Sequence, residues 1–241
     1  MTEPPPTSEA ERRRMSVVLR RLRQAYPDAG IALSFRTPWE LLVATVLSAQ
    51  CTDERVNQVT PGLFARYPTP EAFAEADQAE LAQAIYPTGY HNQKARSLRG
   101  AGRLISERYG GVVPRRLGEL VEVPGVGRKT AAVVLGNAFG LHQGIAVDTH
   151  VGRIVRRLGF SDETDPVKVE RVLLELVPRR TWTMFTHLLI AHGRAICQSR
   201  TPRCEACVLL SLCPEGARRV GGSVASRNRS VRRASRDTPS A

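Results

Sequence analysis

No stretch of the 241 residues approaches the roughly 18 consecutive apolar residues of a membrane-spanning helix, so no membrane partner is expected. The first ten residues lack the basic start and apolar run of a secretory leader. They are Pro-rich and acidic instead, which points to a cytoplasmic location. Runs of alternating apolar and polar residues, the mark of half-buried strands, are also missing. What remains is an all-α pattern of about ten helices or more. Cysteine is scarce, five in all, and four of the five fall between Cys197 and Cys213. That crowding in a cytoplasmic chain argues against a disulfide framework and for a metal site.

What is abundant is positive charge. There are 35 Lys and Arg against 23 Asp and Glu, a formal net charge of +12. Such a balance suits a polyanionic partner and equally suits mere solubility. The excess is uneven. From Gly216 to Ala241 there are seven arginines and one aspartate, a surplus of six, half of the total. This tail has almost no large apolar residues, so residues 215–241 are expected to be disordered, as are residues 1–10. The tail either raises non-specific affinity for nucleic acid or is simply a solvated end.

Helix starts are legible. Thr37-Pro38-Trp39-Glu40 reads as a capping box with proline at the first helical position, opening a buried run from Leu41 to Ala49. Thr69-Pro70 and Asp165-Pro166 repeat the cap-then-proline chemistry. After Pro166, the residues Val167, Val169, Val172, Leu173, Leu176 and Val177 fall largely on one helical stripe. Further helices are predicted over Glu11–Ala25, Asp53–Arg66, Gln78–Ile85, His91–Tyr109, Arg116–Glu122, Arg128–Phe139, Asp148–Leu158 and Trp182–Ile196.

Three motifs carry chemistry. In the first, Leu120 to Val123 close a short helix, Pro124-Gly125-Val126-Gly127 make a turn, and Arg128-Lys129-Thr130-Ala131 open another helix. Glycines there permit positive φ and close approach, and the backbone N–H groups at the second helix's start suit a phosphate. This is a helix-hairpin-helix, which grips one DNA strand without reading bases. The second motif is Lys129 within it. A positive charge on a helix's first turn opposes the dipole and favours loss of the proton, and a neutral lysine is a nucleophile able to form a Schiff base. Downstream, Val147-Asp148-Thr149-His150 supplies a carboxylate. Asp148 is a helix N-cap, or a group facing Lys129, or both. The third motif is Cys197-x6-Cys204-x2-Cys207-x5-Cys213. Only the middle pair has the spacing of a zinc knuckle. A compact all-thiolate run suits a cubane cluster, with zinc as the alternative.

With these motifs in order, the chain resembles the endonuclease III family of helix-hairpin-helix DNA glycosylases, from about Glu11 to Pro214. The resemblance implies a six-helix barrel domain over residues 31–142, with its hairpin at 120–139. It also implies a helical [4Fe–4S] domain built from residues 11–30 and 143–214, with the DNA cleft between the two. Lys129 and Asp148 match the family's catalytic pair, and Cys197, Cys204, Cys207 and Cys213 its cluster ligands. Gln50 matches the residue that fills the gap left by an extruded nucleotide. Tyr90, His91, Gly125, Val126, Gly127, Arg128, Thr130 and His150 fall at DNA-facing positions. The implied activity is bifunctional. The enzyme would remove oxidised pyrimidines from duplex DNA and cleave abasic sites by β-elimination, as a monomeric, nucleoid-associated bacterial protein.

The chain departs from the family at Gly89-Tyr90-His91-Asn92, where a leucine is common in place of Tyr90. Tyr90 either stacks on bases or turns aside as packing. Cys51 stands where a small residue is common and is expected to be a buried, inert thiol. Three rival readings are an adenine glycosylase, which would lack Lys129, a mismatch uracil or thymine glycosylase, and a non-catalytic DNA clamp.

Overall fold

The computed structural model describes residues 8–221, and all its regular elements are helical. Residues 1–7 and 222–241 lie outside the described residues, and most of the expected terminal disorder falls on them. Two parts of that expectation are corrected. Helix α1 spans Glu9–Ala25, because Ser8 and Glu11 form a complete capping box. Residues 214–221 are helical, and Gly216 is buried among Leu210 and Cys213. No described helix is long and apolar enough to cross a membrane.

The chain divides into two compact units. One comprises Gly30–Ala146 with Arg179–Met184. The other comprises the described residues of Met1–Ala29, Val147–Pro178 and the described residues of Phe185–Ala241. The first of these units runs to Ala146 and takes in the short segment 179–184.

The first unit is built around α2 (Pro38–Leu47). Every residue from Trp39 to Leu47 is buried, so this helix is apolar all round. It is wrapped by α3 (Asp53–Arg66), α6 (His91–Tyr109) and α8 (Arg128–Phe139), while α4 (Pro70–Glu75) and α5 (Gln78–Ala84) pack on α6. In this core Trp39 meets Phe73 edge-on, and the Tyr67 ring lies tilted against Phe73. Thr37 caps α2 as expected, its Oγ1 accepting the Glu40 N–H at 3.2 Å. Glu40, however, reaches the Arg36 N–H at 2.6 Å and the Arg36 guanidinium, one residue before the cap. The motif is a single-sided cap with an ion pair attached, because the Glu40 carboxylate is taken by Arg36 rather than by the Thr37 N–H.

The second unit holds α1, α9 (Thr149–Arg157), α10 (Pro166–Leu176) and most of α11 (Trp182–Ala195). Met15, Val18 and Leu22 of α1 are fully buried. Arg14 closes the unit, donating to the carbonyls of Leu158 at 2.7 Å and Leu212 at 3.2 Å and stacking on the Phe160 ring. Asp165 caps α10 through the Val167 and Lys168 N–H groups. Val167 is 47% exposed, off the buried stripe of Val169, Leu173 and Leu176.

Candidate DNA interface and cysteine centre

The hairpin of the first unit follows from its sequence. A short helix α7 (Leu117–Leu120) ends, and the Val126 N–H returns to the Val123 carbonyl at 3.0 Å. Proline at the second position and Gly125 at φ +81° make this a type II turn. Any side chain at Gly125 would also drive into the Ser97 side chain. Val123 and Val126 are buried beneath the turn, which leaves Gly125, Gly127, Arg128 and Lys129 exposed and Thr130 half-buried. No side chain caps α8, so the positive end of its dipole is not offset by a local oxygen. Lys129 stands on that first turn.

Three of the sequence candidates meet beside the hairpin. Gln50, Tyr90 and Gly125 line one open depression, together with Lys94 and Ser97. Gln50 at φ 54° and Tyr90 at φ 49° are the only non-glycine residues with positive φ among the described residues. Left-handed backbone costs an L-residue about 1–2 kcal/mol, so both positions are held there by their surroundings. Tyr90 is 62% exposed, so its ring is not packed into the core. His91 lies with its ring on Tyr86, centroids 4.8 Å apart. Cys51 is half-buried against the core rather than fully buried.

Asp148 and His150 belong to the second unit. Asp148 is the N-cap of α9, Oδ1 accepting the Val151 N–H at 2.8 Å. His150 Nδ1 is 3.1 Å from an Arg153 guanidinium nitrogen. Burial pushes the His150 pKa down, against the pull of the nearby Asp148 carboxylate, and Arg153 and Arg194 add to the lowering. Its ring lies so close to Gly193 of α11 that a methyl group there would collide with it. His150 is thereby packed into the unit, a role that its place in the motif did not suggest.

The four cysteines Cys197, Cys204, Cys207 and Cys213 line a single cavity in this unit. Among the described residues, no three His, Cys, Asp or Glu side chains are gathered closely enough to hold one metal ion. The sulfurs stand around the cavity instead, and they are supplied with donors. The Leu209 N–H points at Cys207 Sγ at 3.4 Å, the Gly216 N–H at Cys213 Sγ at 3.3 Å, and Arg157 at Cys197 Sγ at 3.3 Å. Burial raises the Cys207 pKa; the Leu209 N–H opposes it, and all three other sulfurs add to the rise. Burial, then Cys197 and Cys213, likewise raise that of Cys204.

Several supporting residues escaped the sequence reading. Arg153 and Arg157, four apart on α9, bind the loop carbonyls of Cys197, Gln198 and Ser199. Their spacing on the polar face of the helix was the available signal. His192 is buried between α1 and the cysteines, Nδ1 at 2.9 Å from Tyr26 Oη and Nε2 at 3.5 Å from Cys207 Sγ. Burial lowers its pKa to about 4, so it is neutral.

Comparison with known proteins agrees with this architecture. Residues 43–179 match the family described as HhH-GPD superfamily base excision DNA repair protein. Endonuclease III of Synechocystis sp. (strain PCC 6803) is 49% identical over 205 residues, covering 85% of this chain and 94% of that protein. The chain belongs to the endonuclease III family. It is therefore a base excision repair enzyme with the helix-hairpin-helix glycosylase fold. Two solved structures show the same fold at TM-score 0.82 and 42% identity, each covering 87% of this chain and 98% of the solved one. One is a non-covalent endonuclease III–DNA complex, the other a trapped endonuclease III–DNA covalent intermediate with an estranged adenine.

Proposed function

We propose that this enzyme is a bifunctional N-glycosylase and abasic-site lyase acting on duplex DNA, with Lys129 as its nucleophile and oxidised pyrimidines as its substrates. One observation carries the reading. Lys129 stands exposed on the first turn of α8, directly after a type II turn, in a family with a member caught covalently on DNA. The backbone N–H groups of the hairpin hold a phosphate of the damaged strand. The nucleotide is swung out of the stack, which costs least for a base that pairs and stacks poorly. The lone pair of Lys129 Nζ bonds to C1′ while the glycosidic bond breaks and the base leaves with its electron pair. The Asp148 carboxylate stabilises the positive charge that develops on the sugar. Ring opening gives an imine between Nζ and C1′. The imine makes a C2′ proton acidic, and its removal expels the 3′ phosphate. Gln50 and Tyr90 occupy the space that the nucleotide leaves.

The test is a panel of duplexes carrying thymine glycol, uracil, or adenine opposite oxidised guanine, scored for base release and strand cleavage. Thymine glycol is expected to be released and the strand cut 3′ to the site. Release of uracil or adenine alone, without strand cleavage, would replace this reading with one of its monofunctional rivals.

Cys197, Cys204, Cys207 and Cys213 would hold a [4Fe–4S] cluster. Support comes from four thiols around one cavity and from the N–H donors that reach three of their sulfurs. The cluster supplies structural cross-linking of the 197–213 loop. The loop's arginines, Arg200 and Arg203, line an open basic depression with Arg219. Chain purified without added metal should carry about four irons and four sulfides, and Cys204→Ser should lose most of both. One zinc per chain and no iron would reject the cluster.

A further inference from the structure

Lys94 lies in the first turns of α6, on the same stripe as the fully buried Leu98, Ala101 and Ile105. Packing alone would place an apolar residue there. Instead a lysine is buried to 6% exposure, and burial lowers its pKa. Its side chain leans back toward the helix start, as helical side chains do. There Nζ donates to the Leu47 carbonyl at 2.7 Å and to the Thr88 carbonyl at 2.8 Å.

These two carbonyls have specific places in the fold. Leu47 is the last residue of α2, and its carbonyl is one of those a helix end leaves without a helical partner. The negative end of the α2 dipole therefore faces the ammonium. Thr88 ends the short 3-10 turn Tyr86–Thr88. Three residues beyond Leu47 comes Gln50, and two beyond Thr88 comes Tyr90, the two residues with left-handed backbone. Lys94 is tied to the second of them again, because its own N–H donates to the Tyr90 carbonyl at 3.0 Å. Lys94, Gln50 and Tyr90 all line the same depression.

We infer that Lys94 is a positioning residue that clamps the α2 end and the Thr88–Tyr90 turn together, so that Gln50 and Tyr90 enter the duplex as one rigid pair. This inference rests on the reading of Gln50 and Tyr90 as the residues that occupy the space of the extruded nucleotide. One ammonium joins two strained turns that share no direct link in sequence. Without it each turn can relax toward ordinary backbone angles. The cost then falls on substrates whose opposite strand must be held open. A single-stranded abasic site has no opposite strand and does not need the pair.

The test compares Lys94→Met with the parent enzyme on a duplex and on a single-stranded abasic oligonucleotide, by borohydride trapping under single-turnover conditions. It repeats the comparison in a Gln50→Ala/Tyr90→Ala background. Expected is a loss of about tenfold or more on the duplex, the scale of a buried hydrogen-bonded charge, and less than about twofold on the single strand. In the double-alanine background Lys94→Met should cost nothing further, the non-additivity of residues acting as one unit. Lys94→Gln, which keeps a donor but cannot bridge both carbonyls, gives the same readout if the methionine variant does not fold. Equal losses on both substrates, or additive losses with an impaired double-alanine variant, would overturn the clamp alone. A double-alanine variant with full duplex activity would overturn the reading of Gln50 and Tyr90, and the clamp with it.

Discussion

Lys129→Ala is expected to yield no borohydride-trapped adduct on abasic DNA and to lose strand cleavage by a factor on the order of 10⁴ or more, the scale of deleting a nucleophile. Binding to the same duplex should stay close to that of the parent. The side chain is exposed, so its removal leaves no cavity, and alanine favours the first turn of α8. In the proposed reading the hairpin grips DNA through backbone N–H groups and the turn at Gly125, neither of which the substitution touches. Trapping that survives in the alanine variant at the parent's level would move the nucleophile elsewhere. Loss of binding together with trapping would make Lys129 a phosphate contact.

Asp148→Asn should lose base removal by about 10² or more, the scale of one electrostatic contact to the transition state, while the protein stays folded. The reasoning turns on the cap. Asp148 Oδ1 accepts the Val151 N–H at 2.8 Å, and asparagine caps a helix about as well as aspartate. Only the charge at the dipole's positive end is lost, which costs stability about 1 kcal/mol at most. Activity and stability therefore separate in this variant. Calorimetry and a base-release assay on the same preparation decide the matter. A large drop in melting temperature with proportionate loss of activity would show that the negative charge serves α9 and not the sugar.

Much of the fold was legible because its helices announce their ends. Asp53–Arg66, His91–Tyr109 and Arg128–Phe139 have the bounds that the sequence predicts. Each is delimited by strong signals, such as Thr52 before α3 and glycines after α6 and α8. The capping box at Ser8 was equally readable, yet the Pro-rich residues before it hid it. The helical stretch 214–221 was hidden for another reason. Its polarity reads as a solvated tail, whereas its packing depends on Leu210 and Cys213, which only the folded loop brings near. At the proposed site, the hairpin glycines, Lys129, Asp148 and the cysteines were named from the sequence because each carries a chemical signature. Lys94, Arg153, Arg157 and His192 were not, because each acts on a backbone carbonyl or a sulfur distant in sequence. A lysine interrupting the apolar stripe of α6 was a visible hint, as was the spacing of Arg153 and Arg157 on α9.

The order in which the chain leaves the ribosome bears on the three-segment construction of the second unit. The other unit is nearly one continuous stretch, Gly30–Ala146, and can complete most of its core as soon as that stretch has emerged. Helix α1 is made before that stretch, yet Arg14 takes its carbonyl partners from Leu158 and Leu212. For most of synthesis its apolar face of Met15, Val18 and Leu22 must therefore wait uncovered. The cavity ringed by sulfur closes only once Cys213 has emerged, so any inorganic group it takes must be delivered after the other unit has been made.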